Sequence, residues 1–283
     1  MDAAVQTASV EAAARAPHPA LRRHVPLYRG YRYSAGAAVW RREPPAGSVT
    51  VIVNLGGRFR AGWVGSAGPA FEVAPVSSFI SGMHDRAAYT LDGGEQYGVE
   101  FEPTPTGAYA LFGLPLRELA GEIVPLEEVL GPQARGLVER MAEALGWAER
   151  FDLLDAALLD RARHPAAVHP MVARAWEVLA SSDGRATVTE LCRETGYGRR
   201  HLTARFHDQL GLAPKAAARV LRFRSALGLV LSGRPLAEAA AACGYHDQPH
   251  LTREWRDLTG CTPAELRAEM LADATVAAMR RPD

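Results

Sequence analysis

Two stretches of this chain share one layout. Thr187–Gly211 reads TVTELCRETGYGRRHLTARFHDQLG and Leu236–Gly260 reads LAEAAAACGYHDQPHLTREWRDLTG. Each predicts a short helix, a tight turn opened by glycine, and a second helix. In the first copy Thr187 and Glu190 have the spacing of a capping box, and Gly196 stops the helix where left-handed backbone is cheap for glycine. Leu202, Phe206 and Leu210 recur every four residues and predict a buried stripe. That spacing leaves Arg200, Thr203, Ala204 and His207 on another face, with Arg199 at the exposed start. In the second copy Gly244 turns the chain and Asp247 predicts an N-cap. Leu251, Trp255 and Leu258 form its stripe. Gln248 and His250 lie near the leading end, and Thr252, Arg253 and Arg256 face outward.

Two helices joined this way place the leading residues of the second one against base edges in a major groove. Arginine pairs bidentately with guanine and glutamine with adenine, so the outward residues have the right chemistry. One such look-alike in a helical protein is often mere packing, but a pair is stronger. A helix over about Pro214–Leu231 joins the copies, with Val220, Phe223, Leu227 and Val230 as its apolar stripe. Lys215, Arg219 and Arg222 make a basic stripe on another side. A rod of about 17 residues spans ~25 Å, the scale that sets two reading helices about one DNA turn (~34 Å) apart.

Thr187–Leu266 resembles the DNA-binding domain of the arabinose-regulator (AraC/XylS) family of bacterial transcription factors. The residues that carry the resemblance are Gly196, Leu202, Phe206, Gly211, Pro214 and Arg222-Phe223-Arg224-Ser225-Ala226. In the second copy they are Ala240, Gly244-Tyr245, Asp247-Gln248-Pro249-His250-Leu251, Trp255, Gly260 and Thr262-Pro263. The resemblance implies contacts to bases or backbone from Arg200, Thr203, Gln248, His250, Thr252 and Arg253. Ala204 departs from the arginine frequent there in the family, and Gly198 from the usual capping serine. The second copy is therefore expected to supply more of the discrimination. More loosely, Pro44–Gly57, Ser81-Gly82, Tyr97–Pro103 and Gly107–Leu119 resemble an N-terminal domain found in a subset of that family. There it senses a small molecule, dimerises, or both.

The rest of the chain fits two domains. Its 283 residues are 48% hydrophobic, enough for two cores. Met1–Arg163 carries 16 arginines against 19 acids and His164–Asp283 carries 16 cations against 13 acids, a mild asymmetry that permits nucleic-acid binding at the C-terminal end. No apolar run is long enough for a transmembrane helix, and the Ala-rich start reads as a frayed, weakly helical lead-in rather than a secretory signal. Cys192, Cys243 and Cys261 fit neither a zinc signature nor a disulfide framework, which suits a reducing cytoplasm.

Strands are expected over about residues 28–102. Ser48–Leu55 is a β-branched run closed by Gly56-Gly57, with Phe59–Val64 as its hairpin partner. Phe71–Ile80, Ala87–Leu91 and Gln96–Phe101 follow, with Asp92-Gly93-Gly94 as a hairpin turn between the last two. Helices are expected over about 104–163: one begins at Thr104-Pro105, and Pro132–Leu145 and Phe151–Arg163 show four-residue repeats, Leu137, Met141 and Leu145 in the first. Residues 164–170 read as a linker, 171–272 as helical, and 273–283 as a frayed tail. The expected class is α+β multidomain: a barrel- or sandwich-like N-terminal domain with appended helices, then an all-α domain with two helix-turn-helix motifs.

The expected function is a sequence-specific, DNA-binding transcriptional regulator in the cytoplasm, controlled by a small-molecule effector at the N-terminal domain. The expected DNA contacts are Arg199, Arg200, Thr203, His207, Lys215, Gln248, His250, Thr252, Arg253 and Arg256. Double-stranded DNA is the partner, and the reading leaves room for RNA polymerase, an effector and a second copy of the chain. No membrane, metal or cofactor is expected. His84-Asp85, the only close His/carboxylate pair in the N-terminal half, reads as a turn. No nucleophile signature is present, so no enzyme is expected. Tyr28, Tyr31, Tyr33, Trp40 and Trp63 are candidates for core or for an apolar pocket. The rival readings are an enzyme or repair protein that uses the C-terminal module for DNA targeting, and a partner-binding adaptor.

Overall fold

The computed structural model describes residues 9–34, 39–57, 59–65, 68–69 and 77–272. It has the expected class, a β-rich N-terminal part with appended helices and an all-helical C-terminal part. Strands β1 (Ser9–Arg15), β2 (Tyr28–Ser34), β3 (Val39–Glu43), β4 (Thr50–Gly56), β5 (Phe59–Gly65), β6 (Gly68–Pro69), β7 (Phe79–Ser81), β8 (Ala88–Asp92), β9 (Glu95–Phe101) and β10 (Ile123–Pro125) form two antiparallel sheets. One has the order β1-β2-β9-β4-β7-β10 and the other β3-β8-β5-β6.

Alternation along the strands separates two layers. Tyr28 on β2 and Val99 and Phe101 on β9 turn to one side of the larger sheet. There they meet α1 (Pro105–Phe112), α3 (Gln133–Glu143) and α4 (Trp147–Arg161), with α2 (Leu126–Leu130) beside them. The Tyr28 ring lies 5.9 Å from those of Phe101 and Phe151, and its hydroxyl donates to Asp155 Oδ1 at 2.9 Å. Gly30 on β2 is required by this packing, because a Cβ there would lie 2.3 Å from the Trp147 ring. Tyr31, Tyr33, Gln96 and Glu100 turn the other way, toward the smaller sheet.

Several strand expectations are corrected. β5 pairs with β8 in the smaller sheet, whereas β4 pairs with β7 and β9 in the larger one. The Gly56-Gly57 turn is thus a corner between sheets, not a hairpin. The turn after Asp92 is a second corner: β8 pairs with β3 and β5, and β9 with β2 and β4. The two corners touch, since a Cβ on Gly57 (φ +88°) would sit 2.3 Å from the Glu95 carbonyl oxygen. Of the strand expected over Phe71–Ile80, residues 71–76 lie outside the described residues and β7 covers only Phe79–Ser81. The lead-in is not helical over Ser9–Arg15, which forms edge strand β1 against β2. Helix propensity from its alanines is weak against that ladder. Arg15 also pairs with Asp152 at 2.6 Å and Asp155 at 2.8 Å, and Trp147 Nε1 donates to Glu11 at 2.7 Å.

The helical expectations need smaller changes. Thr104 caps α1 by accepting from Gly107 N at 3.0 Å, with Pro105 at the first helical position. Helix α3 ends at Glu143, so Leu145 lies beyond it and is 99% exposed rather than part of the repeat. Helix α4 starts four residues earlier than expected, at Trp147. The frayed tail expected over 273–283 lies outside the described residues.

The C-terminal part runs through α5 (Pro170–Ser181), α6 (Val188–Thr195), α7 (Arg199–Leu210), α8 (Pro214–Leu231), α9 (Leu236–Ala242), α10 (Gln248–Thr259) and α11 (Pro263–Ala272). It does not have one core. Leu191, Leu202, Phe206 and Leu210 belong to an apolar cluster that continues through α5 into the N-terminal helices and sheet. Phe223, Leu251, Trp255 and Leu258 belong to a separate cluster around the second half of α8.

Candidate nucleic-acid interface and N-terminal cavity

The first helix-turn-helix unit is built as its sequence predicts. Thr187 Oγ1 accepts from Glu190 N at 3.2 Å, and Glu190 Oε2 accepts from Thr187 N at 2.7 Å. Those hydrogen bonds hold the Glu190 carboxyl below its ordinary value. Gly196 closes α6 at φ +74°. Helix α7 begins after Gly198, which contributes no side-chain cap. Leu202, Phe206 and Leu210 are fully buried, so the opposite side of α7 is fixed outward. Arg199, Arg200 and His207 are exposed and Thr203 is half-buried.

In the second unit Asp247 caps α10, accepting from His250 N at 2.7 Å. That bond, and one with the His246 ring, lower the Asp247 carboxyl from its ordinary value. Leu251, Trp255 and Leu258 are buried. Gln248, Arg253 and Arg256 are exposed, and Thr252 is half-buried. His250 is also half-buried, with its ring edge-on to Tyr245 at 5.3 Å. Among the described residues Arg199, Arg200, Lys215, Arg253 and Arg256 take part in no ion pair, whereas Arg174, Arg219, Arg222 and Arg234 all do. Exposed Arg205 on α7 is a further unpaired cation that the sequence reading passed over.

The basic stripe expected on α8 is only partly free. Lys215 is exposed, but Arg219 and Arg222 meet Glu254 of α10 at 3.3 and 3.5 Å. Glu254 is buried and also accepts from the Tyr245 hydroxyl at 3.0 Å. Desolvation first, then this carboxylate, raise the tyrosine's pKa. The sequence reading missed this cluster. Its one signal was a charged residue beside Trp255, where the apolar stripe of α10 meets α8. Cys243 and Cys261 are buried and Cys192 half-buried, all with free thiols. Burial raises the thiol pKa of the first two.

Between the two sheets lies a cavity of about 200 Å³. Tyr31 and Tyr33 line it, and Tyr28, Trp40 and Trp63 do not. Tyr28 faces the helices. Trp40 is 49% exposed on the outer face of β3, and Trp63 packs edge-on to His84 with Arg86 over its ring. His84 lines the cavity as well as standing in a turn, and desolvation lowers its pKa. Arg41, Glu43, Glu100 and Glu102 also reach the cavity, a polar lining that the sequence reading did not find. The apolar residues Val99 and Phe101 on the opposite face of β9 were the available clue.

Strand β3 faces two ways. Arg41 and Glu43 turn inward, while Arg42 between them reaches the C-terminal part. Arg42 pairs with Glu269 of α11 at 2.9 Å and donates to the Thr259 carbonyl of α10 at 2.7 Å. Just beyond, Ala46 lines the cavity and its carbonyl accepts from Arg224 of α8 at 3.4 Å. The cavity wall is therefore one strand away from the second helix-turn-helix unit.

Residues 191–269 match a family described as a helix-turn-helix domain. No curated protein matches the chain. Among solved structures it is similar to the C-terminal domain of AraT, a response regulator from Geobacillus stearothermophilus, at 22% identity over 36% of this chain and 88% of that one, with a TM-score of 0.34. It is similar to a transcriptional regulator with an AraC-type DNA-binding domain from Chromobacterium violaceum at 22% identity, over 40% and 96% of the two chains, with a TM-score of 0.33. ToxT from Vibrio cholerae aligns over 93% of this chain and 99% of its own at 10% identity, with a TM-score of 0.47. None of these scores reaches 0.5, and the assignment rests on the sequence match together with the two helix-turn-helix units. Residues 191–269 of this chain are a helix-turn-helix domain, and its paired units have the build of a DNA reader.

Proposed function

We propose that α7 and α10 enter successive major grooves on one face of a DNA duplex. Arg199, Arg200, Thr203 and His207 reach DNA from the first unit, and Gln248, His250, Thr252, Arg253 and Arg256 from the second. Lys215 meets phosphate. The observation that carries this reading is that the cations on the exposed sides of α7 and α10 have no protein partner among the described residues, while the opposite sides are locked into cores. An unpaired exposed arginine is free to pair with guanine or phosphate. Helix α8, at 18 residues, is a rod of about 27 Å and suits adjacent grooves. Asp247 gives the second unit the firmer helix start, so that unit carries more of the discrimination.

The cavity between the sheets holds the effector in this reading, and the wall formed by β3 relays its occupancy to the second unit. The chain works in the cytoplasm as a regulator, with no catalysis assigned to it. Contacts with RNA polymerase and with a second copy of the chain would follow from its role at a promoter. Among the described residues no helix is long and apolar enough to cross a membrane.

Binding of the full chain to its operator, measured by fluorescence anisotropy across salt concentrations, tests the groove assignment. Arg200→Ala and Arg253→Ala should each weaken specific binding by about 1–3 kcal/mol and relax specificity locally. Lys215→Ala should weaken all sequences alike and reduce the salt slope by about 1. Wild-type operator affinity in both arginine variants would remove the groove assignment.

A further inference from the structure

The cavity has two kinds of wall. Tyr31, Tyr33 and Phe79 give it flat apolar surface, and on β9 and just after it Glu100 and Glu102 present two carboxyls. Neither carboxyl has a hydrogen-bond or ion-pair partner among the described residues. The surroundings do not supply one. Arg29 stands opposite Glu100 in the β2–β9 ladder but makes no ion pair with it among the described residues. Arg41 is engaged with Tyr33, donating to its hydroxyl at 2.6 Å and lying over its ring at 4.7 Å. Glu43 adds a third carboxyl, which accepts from Thr90 Oγ1 at 3.1 Å. His84 is held toward its neutral form. Glu100 is enclosed by protein, and the surface it keeps is part of the cavity lining.

An enclosed carboxylate without a partner is costly, and a cation beside it relieves that cost. Tyrosine faces attract cations too. A metal ion does not fit, because no three His, Cys, Asp or Glu among the described residues are grouped to hold one. We propose that this cavity takes a small organic cation, an amine or quaternary ammonium on a flat apolar body, with its charge against Glu100 and Glu102 and its body against Tyr31, Tyr33 and Phe79. Its consequence for DNA rests on the effector reading above; the binding itself does not.

The ligand class has a proton signature. Burial first, then Glu102 and Glu43, push the Glu100 carboxyl up to about 8, and Arg29 only partly offsets them. Near neutral pH the empty cavity therefore holds a proton on Glu100. A bound cation favours the carboxylate, so that proton leaves to solvent. Affinity should rise about tenfold per pH unit below 8.

Isothermal titration calorimetry on the full chain, with three probes of matched shape, tests this. The probes are 2-phenylethylamine, 2-phenylethanol and phenylacetate: cation, neutral and anion. The amine should bind tightest, more tightly at about pH 8 than at about pH 6, with a heat that varies with buffer in the sense of proton release. Glu100→Gln keeps the shape and removes the charge. It should weaken the amine at least about tenfold at pH 8 and abolish its pH dependence while leaving the alcohol unchanged. Should that variant fail to fold, Glu102→Gln is expected to weaken the amine in the same sense. Preference for phenylacetate, equal binding of amine and alcohol, no binding of the amine at millimolar concentration, or an E100Q affinity like wild type would each overturn the proposal. Operator affinity measured with and without the amine separates the two readings. If the amine binds and operator affinity stays unchanged, the ligand class stands and the effector reading falls. If phenylacetate or the alcohol shifts operator affinity and the amine does not bind, the effector reading stands and the ligand class falls.

Discussion

Glu100 holds its proton for a reason that also links stability to pH. Its folded value is pushed up to about 8, chiefly by burial, against an ordinary value of 4.5. Between those two values the folded chain binds a proton that the unfolded chain has released. The stability that this proton contributes is complete below pH 4.5 and is lost as pH rises through about 8. Histidines whose values are lowered, His24 and His84, act in the opposite direction and below about 6.5. A difference between wild type and E100Q isolates the carboxyl: from about pH 5 to 8.5 the wild-type melting temperature should fall relative to that of E100Q. Parallel melting profiles would remove Glu100 as the cause. The outward sides of α7 and α10 were legible, because a helix repeats every 3.6 residues and its buried stripe fixes what is left outside. Glu100 and Glu102 were not, since the sequence does not say which face of β9 meets helices and which meets a cavity.

At the scale of elements, α8 and α10 are joined by more than apolar contact. Glu254 is buried and shared by Arg219, Arg222 and Tyr245. The amide in Glu254→Gln has similar shape but leaves two part-buried guanidiniums without their carboxylate. This change should cost about 1–3 kcal/mol and lower the denaturant midpoint of the full chain at unchanged slope; an unaltered midpoint would mean that water already serves these arginines. Caps, glycine stops and apolar stripes of both helix-turn-helix units were readable because each is set within four residues along the chain. The sheet was readable only as a set of strands. A Gly-Gly turn has the same local chemistry whether it closes a hairpin or turns a corner between sheets, and pairing partners are chosen by surfaces far apart in sequence. β1 shows the same limit, as an alanine-rich segment takes the edge of β2.

At the scale of the molecule, the two helix-turn-helix units differ in what holds them. The first shares a core with the N-terminal helices, and Arg117 pairs with Asp208 at that junction. The second has its own core and meets the N-terminal part through Arg42 and the segment that follows β3. Arg42→Ala removes one charged hydrogen-bonded pair and one bond to a helix-end carbonyl, about 1–2 kcal/mol together. Amide hydrogen exchange should then speed up about tenfold in α11 and the last turn of α10, and α7 should be unchanged. Equal exchange in both would mean that α11 is held by its own core alone. The strand that walls the cavity thus touches the second unit, while the first unit is packed into the core of the N-terminal part.

The sequence by itself determined the two helix-turn-helix units, their outward residues, the helix starts at Thr104, Thr187 and Asp247, and the division into β-rich and helical parts. These follow from hydrophobic period and capping, which act between near neighbours. Tertiary structure alone decided the strand order, the corners at Gly56-Gly57 and after Asp92, the pairing of Arg219 and Arg222 with Glu254, and the turning of Glu100 and Glu102 into a cavity. It also decided that β3 joins that cavity to the second unit. Each of these depends on which distant surfaces meet, and local spacing carries no record of that.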